Sequence, residues 1–422
     1  MMPTPHPLER SLGIGWYAST APGIGGRLKA EPEDFCVDEL PLAARPAGSF
    51  LICRITKRNW ETQRAVREIA KQLGISHKRI SWAGTKDKRA VTSQYISIAG
   101  AAPGDIAAVR LKDISIEIAG TADTPLMLGD LAGNRFQIRI RDCDPLDLAT
   151  RVRAGVATAE SGVPNYFGIQ RFGVIRPITH LVGRHILKRE YEEAVAAYIG
   201  LACDGEPEPI REARQAFYDT RNALGALKSL PVPMQYERTM LHALIEHPGE
   251  YRQALLALPP KLRSMFVSAY QSWLFNHGLS GRCAAGVPLY EPVPGDRLLF
   301  LDGREDAVTE KNLRTAEVHI RRGRCTVAIR MPGTAAYACH GIADETIGSL
   351  LDADGITSAD FGTASEFLGV KYEGAVRAIG LKTDIAAEIR DTTVELAFDL
   401  PPGHYATTVC REFMKAPPLQ MI

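Results

Sequence analysis

Asp87 stands in the segment Gly84-Thr85-Lys86-Asp87-Lys88-Arg89, one carboxylate among three cations. Nearby cations favour the charged form of a carboxylate, and an ionised aspartate held in a loop at a strand end can act as nucleophile or base. The plainer reading is a surface aspartate neutralised by its neighbours, an arrangement worth about 1 kcal/mol or less. The wider segment 51–100 carries eleven Lys and Arg against Glu61, Glu68 and Asp87. That imbalance suits a phosphate-rich partner, and equally a solvated basic face.

Other chemistries find little support. The eight cysteines, at 36, 53, 143, 203, 283, 325, 339 and 410, form no C-x-x-C pair, and the ten histidines give no H-E-x-x-H. Neither G-x-x-x-x-G-K-[ST] nor a strand-borne G-x-G-x-x-G occurs, so no metal and no nucleotide cofactor is expected. No run approaches the ~18 apolar residues of a membrane helix, and the N-terminus lacks an apolar signal core. A cytoplasmic protein that does not engage membranes is expected.

The elements around Asp87 follow from periodicity. GRLKAEPEDFCVDELP alternates after a Pro-Glu-Asp turn and reads as a short strand, and SFLICRIT, 49–56, as a second. A helix is expected from Asn59, with Val66, Ile69, Ala70 and Leu73 on one face and Gly74 at its C-cap. Strands at 80–83 and 94–98 then flank the Asp87 loop, followed by strands at 114–120 and 135–141. In the last, Phe136, Ile138 and Ile140 share one face, while Arg135, Gln137, Arg139 and Arg141 share the other. A sheet with one packed and one basic face is expected. Helical periodicity takes over near 145, strand-like runs return after 280 as RLLFLDG and CTVAIRMPG, and TTVELAFDL near the C-terminus is expected to rejoin the first sheet.

SWAGTKDKRAVTSQYISI closely resembles the catalytic motif of the TruD family of pseudouridine synthases. KAEPEDFCVDELP, GNRFQIRIR, NYFGIQRFG, SAYQSWLFN and LPPGHYATTVCREFMK resemble further blocks of that family, in the family's order, between residues 29 and 415. The resemblance implies isomerisation of uridine to pseudouridine in tRNA, at uridine 13 of the D-arm, without metal, nucleotide or redox cofactor. It implies Asp87 as the catalytic carboxylate, Phe35, Asn134 and Tyr405 as lining of the uracil pocket, Phe136 as the stacking ring, and Lys29 as the ion-pair partner of Asp87. By pattern alone the three aromatics read rather as core, while Asn134 could be a turn residue and Lys29 one more exposed lysine. Lys86, Lys88, Arg89, Arg139, Arg171 and Arg411 are the candidates for RNA contact, joined by Arg176, Arg184, Lys188 and Arg189.

The chemistry leaves three routes open, because a carboxylate near C1′ could attack the sugar, add to the ring or remove a ribose proton. Two other functional classes stay in view: a non-catalytic protein that binds structured RNA, and a carboxylate hydrolase acting on nucleosides, which needs a second carboxylate close to the first.

The implied architecture is α+β: a split pseudouridine synthase catalytic domain, residues 1–160 and 378–422, built on a mixed, mainly antiparallel sheet, with an inserted α/β TRUD domain at 161–377. Charge divides along the chain, with 27 Lys and Arg against 21 Asp and Glu in residues 1–200, and 23 against 28 in the remainder. The expected partner is tRNA, and the expected state a monomer with no obligate protein partner.

Overall fold

Period-two alternation becomes strands, and period-3.6 runs become helices, in the computed structural model, which describes residues 1–41 and 46–421. Strand β1 (Phe35–Pro41) buries Phe35, Val37 and Glu39 on one face, and β2 (Phe50–Arg58) buries Leu51, Cys53, Ile55 and Lys57. Helix α1 (Thr62–Gln72) packs Val66, Ile69 and Ala70 with Leu51, Cys53, Ile55, Ile80, Ile96 and Ile98 in one cluster, each large aliphatic contributing about 1.5–3 kcal/mol. The helix does not begin at Asn59. That residue has φ 57°, outside the right-handed helical region, and its amide donates to Ala90 O. Gly74 has φ 65° just past the helix end, where a left-handed residue closes the last turn.

The unit continues through β3 (Ile80–Trp82), β4 (Val91–Ala99), β5 (Ile114–Ala122), β6 (Leu131–Cys143), α2 (Leu148–Ser161), β7 (Ala386–Arg390), β8 (Thr393–Leu400) and α3 (Ala406–Met414). Among the described residues these form a nine-stranded sheet in the order β7-β8-β6-β1-β4-β2-β5, with β3 on β4 and a short Gly25–Arg27 strand on β6. The β1–β4 pair is parallel, and the others on this path are antiparallel. The sheet is thus mixed and mainly antiparallel, and β8 rejoins it from almost 250 residues away, placing Phe398 opposite Phe136 and Leu400 opposite Asn134. Because opposed residues share a face, Phe35, Val37, Glu39, Asn134, Phe136 and Phe398 lie on one side of the sheet, with Asp38, Arg135, Arg139, Glu395 and Asp399 on the other.

Two compact units divide the chain. Ala21–Gly162 with Lys382–Ile422 form the sheet unit, and Met1–Thr20 with Val163–Leu381 form the second. The sequence reading placed residues 1–20 with the sheet. They join the second unit because the 25-residue helix Pro260–Ala284 receives them: Trp273 Nε1 donates to Ser11 O at 2.9 Å, Asn276 Nδ2 to Leu12 O at 3.0 Å and Ser280 Oγ to Gly13 O at 2.7 Å. The second unit holds a series of helices from Thr179–Leu187 onward. Its four-stranded antiparallel sheet is built from Arg297–Phe300, Glu305–Ala307, Cys325–Arg330 and Val376–Ala378. No helix among the described residues is long and apolar enough to cross a membrane.

Candidate active site

The Asp87 loop spans β3 and β4, and its main chain is tied at four points. Gln94 Nε2 donates to Gly84 O at 2.9 Å, the Lys86 amide to Thr62 Oγ1 at 3.3 Å, Lys57 Nζ to Asp87 O at 3.0 Å, and the Asn59 amide to Ala90 O at 3.0 Å. Thr62 in turn donates to Gln94 Oε1 at 3.0 Å, so the loop rests on a bonded pair of buried side chains. Buried polar groups persist only when bonded in this way. Above this base the Asp87 side chain is 52% exposed, and its Oδ2 accepts from Lys29 Nζ at 2.9 Å. The Lys29 side chain is only 12% exposed.

Lys29 also brings Asp87 to the aromatics. Its Nζ lies 4.2 Å from the centroid of the Phe35 ring, which meets Phe136 edge-on at 6.2 Å, and Phe136 stacks on Phe398 at 5.5 Å. An ammonium over a ring face is attracted by the quadrupole by about 0.5–2 kcal/mol. Lys29 itself has φ 52°, a conformation that a side chain adopts at a cost of about 1–2 kcal/mol, so its placement is set by its surroundings. Asn134, two register positions from the Phe136 pair, presents a buried Oδ1 without a hydrogen-bond partner among the described residues. An unpaired buried acceptor costs about 1–3 kcal/mol and suits a donor arriving on a ligand. Tyr405 is half-buried at the N-cap of α3. Phe136 is buried between Phe35 and Phe398, so the ring expected to stack on a base is covered by two protein rings.

Several residues expected to contact RNA have other engagements. Lys86 is 5% exposed at its side chain and donates to Glu39 Oε2 at 2.5 Å, a pair closed by the Tyr95 amide on Glu39 Oε1 at 3.2 Å. Arg139 points from the face of β6 opposite Phe136 and holds Glu395 Oε1 at 2.7 Å. Arg135 pairs with Asp399 and Arg141 with Asp34 on that face, so the expected basic face is a lattice of ion pairs. Arg411 is buried beside Glu412, with 3.7 Å between the charged atoms. Lys88 and Arg89 are exposed, Arg89 donating to Ala30 O at 3.1 Å. In the second unit Arg171 donates to Ser272 Oγ at 3.0 Å. Arg176, Arg184, Lys188 and Arg189 there are paired with Glu206 and Glu237, Asp354, Glu190 and Asp360.

Sequence reasoning missed Lys57, which is fully buried. Burial pushes its ammonium down to about 8, with the charge of Asp87 the largest influence in the opposite direction. Its position in the alternation of β2, after Leu51, Cys53 and Ile55, was the available signal: a lysine in phase with a buried apolar series. Phe398 was missed too, because only the register of β8 brings it against Phe136.

The family model for tRNA pseudouridine synthase D (TruD) matches residues 11–413. The chain is 38% identical over 434 residues to a protein of Methanococcoides burtonii named probable tRNA pseudouridine synthase D, with 98% of each chain covered. Proteins of the same name from Halobacterium salinarum and Archaeoglobus fulgidus are 39% identical over 438 residues, covering 99% of each chain, and 40% over 417, covering 97% of this chain and 99% of the relative. A crystal structure assigned to tRNA pseudouridine synthase D (TruD) of Methanosarcina mazei superposes with a TM-score of 0.81 at 35% identity, covering 97% of this chain and 98% of that one. With the match running through the Asp87 loop, the strands that carry it and the second unit alike, the chain belongs to the tRNA pseudouridine synthase D family.

Proposed function

We infer that this protein isomerises a uridine of tRNA, uridine 13 of the D-arm, to pseudouridine, with Asp87 as the catalytic carboxylate. The observation that carries the reading is the Asp87–Lys29 pair: a half-exposed carboxylate held at 2.9 Å by a largely buried ammonium that also caps Phe35. A base inside folded RNA is reached by turning it out of the stack and holding it against rings and polar groups. Asn134 and Tyr405 are the residues available for that, the Asn134 carbonyl offering an acceptor to uracil N3–H, and Phe35, buried and capped by Lys29, joins them only once Lys29 shifts. Phe136 acts as a stacking ring only once a shift of its neighbours uncovers it. Lys88 and Arg89 on the sheet unit, and Arg171 on the second, are the cations we assign to RNA backbone. Lys86 and Arg411 are assigned to holding the fold.

In the reaction the bond from C1′ to N1 breaks, the uracil turns, and C5 bonds to C1′. The C5 hydrogen leaves as a proton and N1 gains one, so the product is an isomer of the reactant. A carboxylate at the position of Asp87 serves any of the three routes: attack at C1′, addition to the ring, or removal of a ribose proton. The test is tritium release from transcribed tRNA labelled at uracil C5. Wild type should release label without free uracil, and Asp87→Asn should lower the rate by roughly a thousandfold or more, as loss of a group acting in the transition state does. Near wild-type turnover by Asp87→Asn would overturn the assignment, and free uracil would indicate hydrolysis instead.

A further inference from the structure

Lys57 has no exposed surface, and its Nζ donates to two main-chain carbonyls, Asp87 O at 3.0 Å and Trp60 O at 2.6 Å. One ammonium therefore ties the residue that carries the candidate carboxylate to the entry of α1. Burying an ammonium costs several kcal/mol, and the same two carbonyls could be satisfied by neutral donors. Opposed to Lys57 across the sheet is Thr92, whose buried hydroxyl has no hydrogen-bond partner among the described residues. Of the charged groups acting on Lys57, Asp87 and Glu61, at the N-cap of α1, favour the ammonium. Lys86, on the same loop, opposes it and is itself matched by Glu39.

We propose that Lys57 is a positioning residue for Asp87, its buried ammonium clamping the main-chain carbonyl while Lys29 holds the carboxylate, so that the loop keeps the aspartate in one place through turnover. The inference rests on the reading of Asp87 given above. A neutral donor would fix the carbonyl alone. An ammonium also supplies positive charge behind the carboxylate, from a position that is itself shielded from water, where a charge is least screened.

The test compares wild type, Lys57→Met and Lys57→Gln in single-turnover tritium release, with tRNA binding by filter retention and thermal unfolding alongside. Lys57→Met should lose about 100-fold in rate, the scale of a misplacement near 1 Å, while tRNA affinity and the unfolding midpoint hold or the midpoint rises. Lys57→Gln, which keeps a neutral donor, should recover part of the rate. A wild-type rate in Lys57→Met would overturn the proposal, as would a rate loss that disappears on cooling in step with lost stability. In parallel, lysine labelled with 13C at Cε reports the titration of Lys57 in wild type and in Asp87→Asn, a substitution at an exposed side chain. The midpoint should fall once the supporting charge is gone, and an unmoved midpoint would refute the electrostatic link even where the Lys57 variants fail to fold. An inactive wild type would count against the functional reading, leaving this titration to judge the clamp.

Discussion

Lys86→Met should unfold the sheet unit more easily without weakening its hold on tRNA. The Lys86 and Glu39 side chains are 5% and 1% exposed, with Nζ 2.5 Å from Oε2. Methionine keeps the length of the stem and removes the charge, leaving Glu39 with the Tyr95 amide at 3.2 Å. Breaking a buried pair from one side costs about 3–5 kcal/mol. At ~2–4 °C per kcal/mol for a unit of roughly 150–250 residues, the midpoint should fall by about 10 °C. Glu39→Leu combined with Lys86→Met removes both charges and should recover most of the loss, giving a coupling of about 2 kcal/mol or more in a double-mutant cycle. Denaturant unfolding measures these values, and filter binding across a salt series measures the other half. Because the Lys86 ammonium is committed to Glu39, the slope of log affinity against log salt should not change, whereas loss of a phosphate contact lowers it by about 1. A destabilisation below about 1 kcal/mol, or a slope reduced by one contact, would refute the placement of Lys86 as a buried anchor.

Lys88→Ala, at an exposed residue beside Asp87, should weaken tRNA binding and reduce the salt slope by about 1. Arg139→Ala, on the opposite sheet face and paired with Glu395, should leave that slope unchanged and alter stability by less than about 1 kcal/mol. Gly133→Ala should destabilise the sheet unit by about 1–3 kcal/mol, because its Cβ would sit 2.6 Å from Leu400 O, a main-chain atom with no rotamer to escape into; unchanged thermal unfolding would contradict that. The last prediction concerns pH. Lys57 sits at about 8 in the folded protein against an ordinary 10.5, so the unfolded chain binds this proton more firmly. The penalty is full below about pH 8 and is relieved as pH rises through the folded value towards 10.5, a gain of about 3 kcal/mol for wild type relative to Lys57→Met. Paired urea melts across that range measure it, and a constant difference between the two proteins would count against it.

The parts of the fold legible in the sequence are those written in local periodicity. The alternation at 35–41, 50–58 and 131–143 is a property of each segment alone, and the return of β8 to the sheet follows from a strand with one apolar face needing a partner. The N-terminal twenty residues were misplaced because their attachment depends on three helix side chains, Trp273, Asn276 and Ser280, bonding carbonyls of residues 11–13. No pattern within 1–20 encodes that. Asp87 stands out in the sequence as a lone acid among cations, and the same charge count pointed to Lys86 and Arg139, whose charges are paired with Glu39 and Glu395. Composition counts a lysine alike whether its ammonium meets water or Glu39, and an arginine alike whether or not Glu395 lies across the strand.

On the catalytic role proposed for Asp87, the buried polar layer beneath it answers what a reacting carboxylate needs. Its substrate side must stay open, so apolar packing cannot fix the side chain there, and at 52% exposure the aspartate retains that opening. Its position must then be set from the protein side, through its main chain and through one partner on the carboxylate. The main chain is fixed by Gln94, Thr62 and Lys57, all buried and all hydrogen-bonded to the loop. The carboxylate is fixed by Lys29, held in a left-handed conformation over Phe35. Each device is unfavourable alone, since a buried ammonium and a left-handed lysine both cost free energy, and the nine-stranded sheet with its aliphatic core offsets them. Substitutions that ease these local costs, such as Lys57→Met, are therefore the ones expected to leave a stable fold with a misplaced aspartate.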